Sequence, residues 1–257
     1  MSFLPETQTT SIAIGTREDV FIRDKSLCQE IIGKLSFTEM IYFHLLGRLP
    51  TKGQTVMLDA CLVTLMEHGL SPSALTTRLT YSSAPEAMQG AVAAGLLGVG
   101  SLFVGTMEGC AALLKRMLEA KDGPEPEARR IAEEYRANKK PLPGFGHPQH
   151  KPDDPRSVRL FELAKEHGIS GPHVSAVQTL SAAVDEVYGK HITLNATGAV
   201  ATVLGDCGLP AEIMRGFAII SRCAGLVGHV YEEQQKPAMR AIWEAAEKAV
   251  PYDGTAK

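Results

Sequence analysis

The chain has 257 residues, 44% hydrophobic and 21% charged, with a formal charge of −3 from 26 Lys+Arg against 29 Asp+Glu. This length suits one large domain or two joined lobes, and the composition excludes disorder as the main state. The near balance of charge leaves no electrostatic footprint for nucleic acid, although a few arginines can still converge on a small anion.

Residues 11–23 alternate like strands with Gly15 at a turn, which predicts one small hairpin. Helical signals dominate from there on. Ser36, Phe37, Thr38 and Glu39 form a capping-box pattern that opens a helix ending at the stop 47–50. Residues 56–68 carry apolar side chains at helical spacing and should stop at Gly69. The stretch 85–99 is rich in Ala, Leu and Gly, small residues that let another helix come close, and reads as a core or interface helix. Residues 108–120, 125–138, 158–167 and 172–188 read as amphipathic helices, and 194–204 as an apolar small-residue segment. A last helix, 211–233, follows Pro210. The stretch 121–127 (KDGPEPE) reads as a solvated linker. No apolar run reaches the ~18 residues that cross a bilayer. The opening MSFLPETQTT lacks the layout of a signal peptide, so the expectation is a cytoplasmic protein without membrane contact. Five scattered cysteines (Cys28, Cys61, Cys110, Cys207, Cys223) include no CxxC pair and read as reduced core residues, with no metal site expected.

One stretch breaks the helical pattern. Residues 139–156, KKPLPGFGHPQHKPDDPR, hold five prolines, two glycines and two histidines between two expected helices. A loop of that length in a helical domain is disordered or functional. Its paired glycines favour function, since they let backbone approach a ligand while His147, a side chain that titrates near neutrality, projects beside it. His150 reads as a solvated neighbour. His68 sits at the expected end of the 56–68 helix, where a ring also suits the helix dipole. Arg78, Arg156 and Arg222 lie among small or apolar residues and need an anionic partner, either a protein carboxylate or a ligand.

The motif Gly144, Phe145, Gly146, His147 followed by Asp154, Pro155, Arg156 resembles the GFGHxVYKxxDPR signature of the citrate synthase superfamily. Glu67-His68-Gly69 with Ser73 resembles that family's helix-end histidine segment, and 74–78 its arginine-bearing helix. GVGSLFVGTME at 98–108 resembles the GxLHGGANE turn, Leu194 through Gly198 the LNVDG segment, and SRCAGLVGHVYEE at 221–233 the ARxxGxxAHWxE segment. The matches span about 11–252. Phe103, the short length and the GLVGHVYEE ending make the chain most similar to the citryl-CoA lyase branch.

This resemblance implies an all-α fold with large and small helical lobes about a cleft: 1–103 and 198–257 for the large lobe, 104–197 for the small one. It implies an enzyme, a lyase cleaving citryl-CoA or a related β-hydroxyacyl-CoA to an acyl-CoA and a 2-oxo acid. The alternatives are a synthase forming the same bond and a silent CoA-binding homologue. Coenzyme A enters as thioester substrate or product, not as a permanent cofactor, and the partners are a carboxylic acid, acyl-CoA and a second copy of the chain in a homodimer. By position, His147 contacts the hydroxyl or carbonyl oxygen, and is expected to act as the base that opens cleavage. His68, Arg156 and Arg222 hold carboxylates, with Arg78 a further substrate-binding candidate and Arg240 reaching across the dimer. Backbone of Leu142, Pro143, Gly144, Phe145 and Gly146 lines the CoA site. Thr197 stands where the family carries aspartate, Phe103 where synthases carry histidine, Pro148 and Gln149 where Arg-Val is usual, and Val230 where Trp is. A neutral Thr197 is no base for removing a proton from an acyl-CoA methyl group, which favours cleavage over condensation.

Overall fold

The computed structural model describes residues 8–102 and 104–254. Three short strands come first, β1 (Ala13–Gly15), β2 (Val20–Ile22) and β3 (Lys25–Ser26), in an antiparallel sheet of order β1-β2-β3. The predicted hairpin is present with Gly15 paired to Val20, and β3 adds a strand to it. A five-residue π-turn, Leu27–Ile31, then leads into the helices.

Eleven α-helices follow among the described residues: α1 (Phe37–Leu46), α2 (Lys52–Met66), α3 (Pro72–Ser83), α4 (Met88–Leu97), α5 (Thr106–Leu118), α6 (Pro124–Ala137), α7 (Pro155–Glu166), α8 (Pro172–Tyr188), α9 (Ala196–Asp206), α10 (Met214–Gln235) and α11 (Met239–Ala249). The local reasons are in the sequence. Ser36 and Glu39 close the capping box of α1, which ends at Gly47 with φ +69°. Thr51 and Gln54 do the same for α2, so this helix starts four residues before the apolar spacing suggests. It also ends at Met66, leaving Glu67 extended and His68 outside the helix rather than on its dipole.

The stretch 121–127 is not a plain linker. Pro124 opens α6, where a proline ring loses no hydrogen bond, and Glu127 is buried, accepting from Arg116 Nε on α5 at 2.5 Å. Cys61, Cys110 and Cys207 are buried as expected, Cys223 is half-buried, and Cys28 is exposed, a departure from the all-core reading.

Helix α9 lies at the centre, with buried residues on every side of its length. Helices α5, α7 and α8 pack on it, and α6 packs on α8. Their apolar faces form one large core with α1, α2 and α10 that includes Leu58, Leu114, Val177, Val203 and Phe217. A smaller cluster of Ala74, Ala91, Val92, Leu226 and Val230 joins α3, α4 and α10. By length and composition the stretch Ala211–Gln235 would pass for a membrane span, contrary to the sequence-based count of apolar runs. Half of it is buried in the protein, against α2, α3 and α4 among others, and it carries the buried polar residues Arg222, His229 and Glu233. That pattern is a core helix's.

Candidate active site

The histidine loop is short of regular structure until Asp154 caps α7 and Pro155 opens it, so Arg156 sits in the first turn of a helix. Between those points the chain is pinned to the approach of α9. Phe145 pairs with Leu194, Gly146 N donates to Thr193 O at 2.7 Å, and Asn195 N donates to Gly144 O at 2.9 Å. Gly144 has φ +84°, and a Cβ there would come within 2.9 Å of the Gly198 Cα and 2.7 Å of Cys110 Sγ. Only glycine permits both the angle and the contact.

This pinning builds one wall of a cavity of about 420 Å³. His68, His147, Arg156, Arg222, Thr197 and all of Leu142 through Gly146 line it, together with Glu67, Ser71 and Thr106. Residues far apart in sequence therefore converge as the motifs suggested. Phe103 lies outside the described residues; its neighbours Leu102 and Val104 line the cavity.

His147 is held by its own loop. Its Nδ1 accepts the backbone N–H of His150 at 2.9 Å and of Gln149 at 3.1 Å. Burial, with His150, Arg156 and His68 nearby, holds the ring below its ordinary pKa of 6.5 despite the opposing pull of Asp154. A neutral imidazole whose Nδ1 lone pair is taken carries its proton on Nε2. In that tautomer His147 presents a donor to the cavity, where the sequence led us to expect a base. His150 stacks on it with ring centres 4.4 Å apart, so it is packed against the site histidine rather than merely solvated.

His68 is the second ring, with its centre 6.0 Å from that of His147. Its backbone N–H donates to Glu67 Oε1 at 2.7 Å, and its imidazole has no hydrogen-bond partner among the described residues. Burial and the charges of Arg156 and Arg222 lower its pKa from 6.5, so it too is neutral near pH 7, with a lone pair free to accept.

The two cavity arginines differ. Arg156 is braced by the buried carboxylate of Asp154, through Nε to Oδ1 at 3.0 Å and Nη2 to Oδ2 at 2.8 Å. Asp154 also accepts from Ala196 N at 3.1 Å, so one carboxylate ties α7, α9 and the guanidinium together. Arg222 is 4% exposed, its Nε and Nη1 have no partner, and the nearest carboxylate oxygen, on Glu67, is 3.9 Å away. Burial lowers its pKa, an effect Glu67 only partly offsets. A buried guanidinium left open on a cavity calls for an anionic ligand.

Arg78 and Arg240 do not reach this cavity. Arg78 is buried, donating to Glu233 Oε2 at 2.9 Å, to Glu232, and from Nε to His229 Nδ1 at 3.0 Å. That last bond leaves His229 Nε2 to donate to Glu67 Oε2 at 3.0 Å. Arg78 therefore braces Glu67, and through it the backbone of His68, instead of a substrate. Arg240 is exposed on α11 beside Glu244. Thr106, a cavity residue that the motifs did not single out, meets Thr197 at 2.8 Å; nothing in the turn 98–108, which also carries Ser101 and Glu108, marks it out.

A family model described as citrate synthase, C-terminal domain, matches residues 7–243. The structure is similar to that of citryl-CoA lyase from Hydrogenobacter thermophilus, with TM-score 0.87 and 32% identity over 97% of this chain and 96% of that one. It shares its fold with ATP citrate lyase from Methanothrix soehngenii, solved with citrate and coenzyme A, at TM-score 0.75 and 18% identity over 99% of this chain and 43% of that one. A citrate synthase from Synechocystis is 28% identical over 207 residues, 78% of this chain and 50% of its own length. The chain spans about half the length of the curated citrate synthases at the head of its matches. With that match across almost all its length, the chain belongs to the citrate synthase family.

Proposed function

We propose that the chain is a citryl-CoA lyase-like enzyme, cleaving the carbon–carbon bond of citryl-CoA or a related β-hydroxyacyl-CoA to an acyl-CoA and a 2-oxo acid. The observation that carries this reading is the pairing of His147 with His68, one ring offering a proton and the other a lone pair. The β-oxygen of the substrate accepts from His147 Nε2–H and from Arg156. Its own proton passes to His68. An oxygen bonded to each ring at about 2.8 Å, with the two bonds roughly 100° apart, fits ring centres 6.0 Å apart. As the carbonyl forms, the bond to the acyl carbon breaks, its electron pair moves into the thioester as an enolate, and one water held in the cleft returns a proton to carbon while taking back the proton that His68 received. Arg222 and the outer Nη1 of Arg156 take the carboxylates. The thioester lies along the backbone of Leu142 through Gly146, and closure of 104–197 over 1–103 and 198–257 excludes bulk water.

Thr197 supports cleavage over condensation. Its hydroxyl donates to Asn195 Oδ1 at 2.6 Å, so the position that would need a base for acyl-CoA deprotonation holds a neutral group already engaged. We take the working form to be a homodimer: α4 leaves Leu97 exposed beside its small residues, and α11 has no buried residue. The test is to supply citryl-CoA and, separately, acetyl-CoA with oxaloacetate. Faster turnover of citryl-CoA supports the lyase. Faster condensation favours the synthase, and CoA binding without turnover of either favours a silent homologue.

A further inference from the structure

Thr106 is the first residue of α5, whose N-terminus has no side-chain cap, and its hydroxyl turns instead to Thr197 across the cavity wall. The direction of that bond follows from Asn195. Asn195 Nδ2 donates to Gly146 O at 3.0 Å while its Oδ1 accepts Gly198 N at 3.1 Å, two backbone partners that fix which way the amide faces. Oδ1 can only accept, so the Thr197 proton goes to it at 2.6 Å. Thr197 then has only lone pairs left, and Thr106 must be the donor. The result is a chain of fixed polarity, Thr106 to Thr197 to Asn195, whose far end holds the carbonyl of the residue before His147.

That carbonyl needs holding. Gly146 has φ +82° and no Cβ to restrain it, and while its N–H is held by Thr193 O, its carbonyl is held from the other side. The Asn195 amide is the side-chain group that grips it among the described residues. The chain also ends at an amide oxygen with no proton to pass on, so it cannot work as a proton wire.

We infer that Thr106 is a positioning residue, holding the Gly146–His147 peptide through Thr197 and Asn195 and so keeping His147 oriented where the N–H groups of Gln149 and His150 fix its tautomer. The kinetic side of this inference rests on the lyase reading; its spectroscopic side does not.

The experiment compares Thr106→Val, which keeps shape and removes the donor, with Thr106→Ser, which restores it. In protein labelled with 15N-histidine, with the His147 signals assigned from a His147→Gln spectrum, the parent should show the Nε2–H tautomer. Thr106→Val should shift both His147 nitrogens toward a tautomer mixture, and Thr106→Ser should return them. Citryl-CoA turnover should fall about tenfold in kcat in Thr106→Val, the worth of about one hydrogen bond passed on to His147, with KM within about twofold. Should Thr106→Val fail to fold, Thr197→Val breaks the same chain one link on and must give the same His147 shifts. His147 signals unchanged in a folded Thr106→Val or Thr197→Val protein would overturn the inference, as would failure of Ser to restore them. An inactive parent would sink the lyase reading while leaving the nitrogen shifts to decide this one.

Discussion

Nη2 of Arg156 lies 3.3 Å from Nε2 of His147. With the Nδ1 lone pair occupied by two backbone N–H groups, both of these atoms are donors. Two donors held this close by Asp154 and by the loop make sense around an oxygen that accepts from both. In the cleavage proposed for this site, the β-oxygen of the substrate would fill that need, its developing charge met by a guanidinium and an imidazole N–H at once.

The two histidines give the reaction a pH signature. Both rings have pKa values lowered from 6.5 by burial and neighbouring cations, so both are neutral at pH 7. Falling pH protonates His68 and removes the acceptor. The acid limb of kcat/KM for citryl-CoA should therefore have its midpoint below 6.5, with a plateau from neutrality upward. A limb centred above 6.5 would mean a different group is titrating.

Arg222 should trade stability for binding. Its Nε and Nη1 are buried without a hydrogen-bond partner among the described residues, so Arg222→Met should raise unliganded stability in urea by about 1–3 kcal/mol. The same change should abolish citrate binding in calorimetry. Arg222→Lys should weaken it, because the planar fork is lost although the charge is kept. Unchanged affinity in both variants would make this arginine structural.

Arg78 should behave in the opposite way. Its side chain is 4% exposed and that of Glu233 is 2% exposed, so removing the guanidinium leaves a buried charge unpaired. Arg78→Met should lose about 3–5 kcal/mol of stability. A raised KM with stability intact would return Arg78 to the substrate.

Thr197→Asp should raise deuterium exchange into the methyl group of acetyl-CoA, read by mass spectrometry. It places a carboxylate where the Thr197 hydroxyl now bridges Thr106 and Asn195. Unchanged exchange in a folded, CoA-binding variant would mean that position 197 does not face the acyl carbon.

Much of this arrangement was legible in the sequence because it rests on local rules. The capping box at Ser36 and Glu39, the glycines around Phe145 and the span of α8 all follow from short-range chemistry. Two local signals were passed over: the Thr51 and Gln54 capping box, and the Asp154-Pro155 pair that opens α7. Helix α11 was also missed. What no spacing could give is which partner each long side chain chooses. Arg78 and Arg222 look alike in sequence, yet packing of α3 on α10 delivers Glu233 to the first, and the second is left facing the cavity. The tautomer of His147 is hidden from the sequence for the same reason, since it depends on where two backbone N–H groups point.

The most direct test of the two-histidine account is the rate of oxaloacetate release from citryl-CoA by the parent protein, His147→Ala and His68→Ala. The account predicts cleavage by the parent and a loss of about 10² or more in each variant, the usual worth of a positioned acid or base. Cleavage by His68→Ala at the parent rate would contradict it.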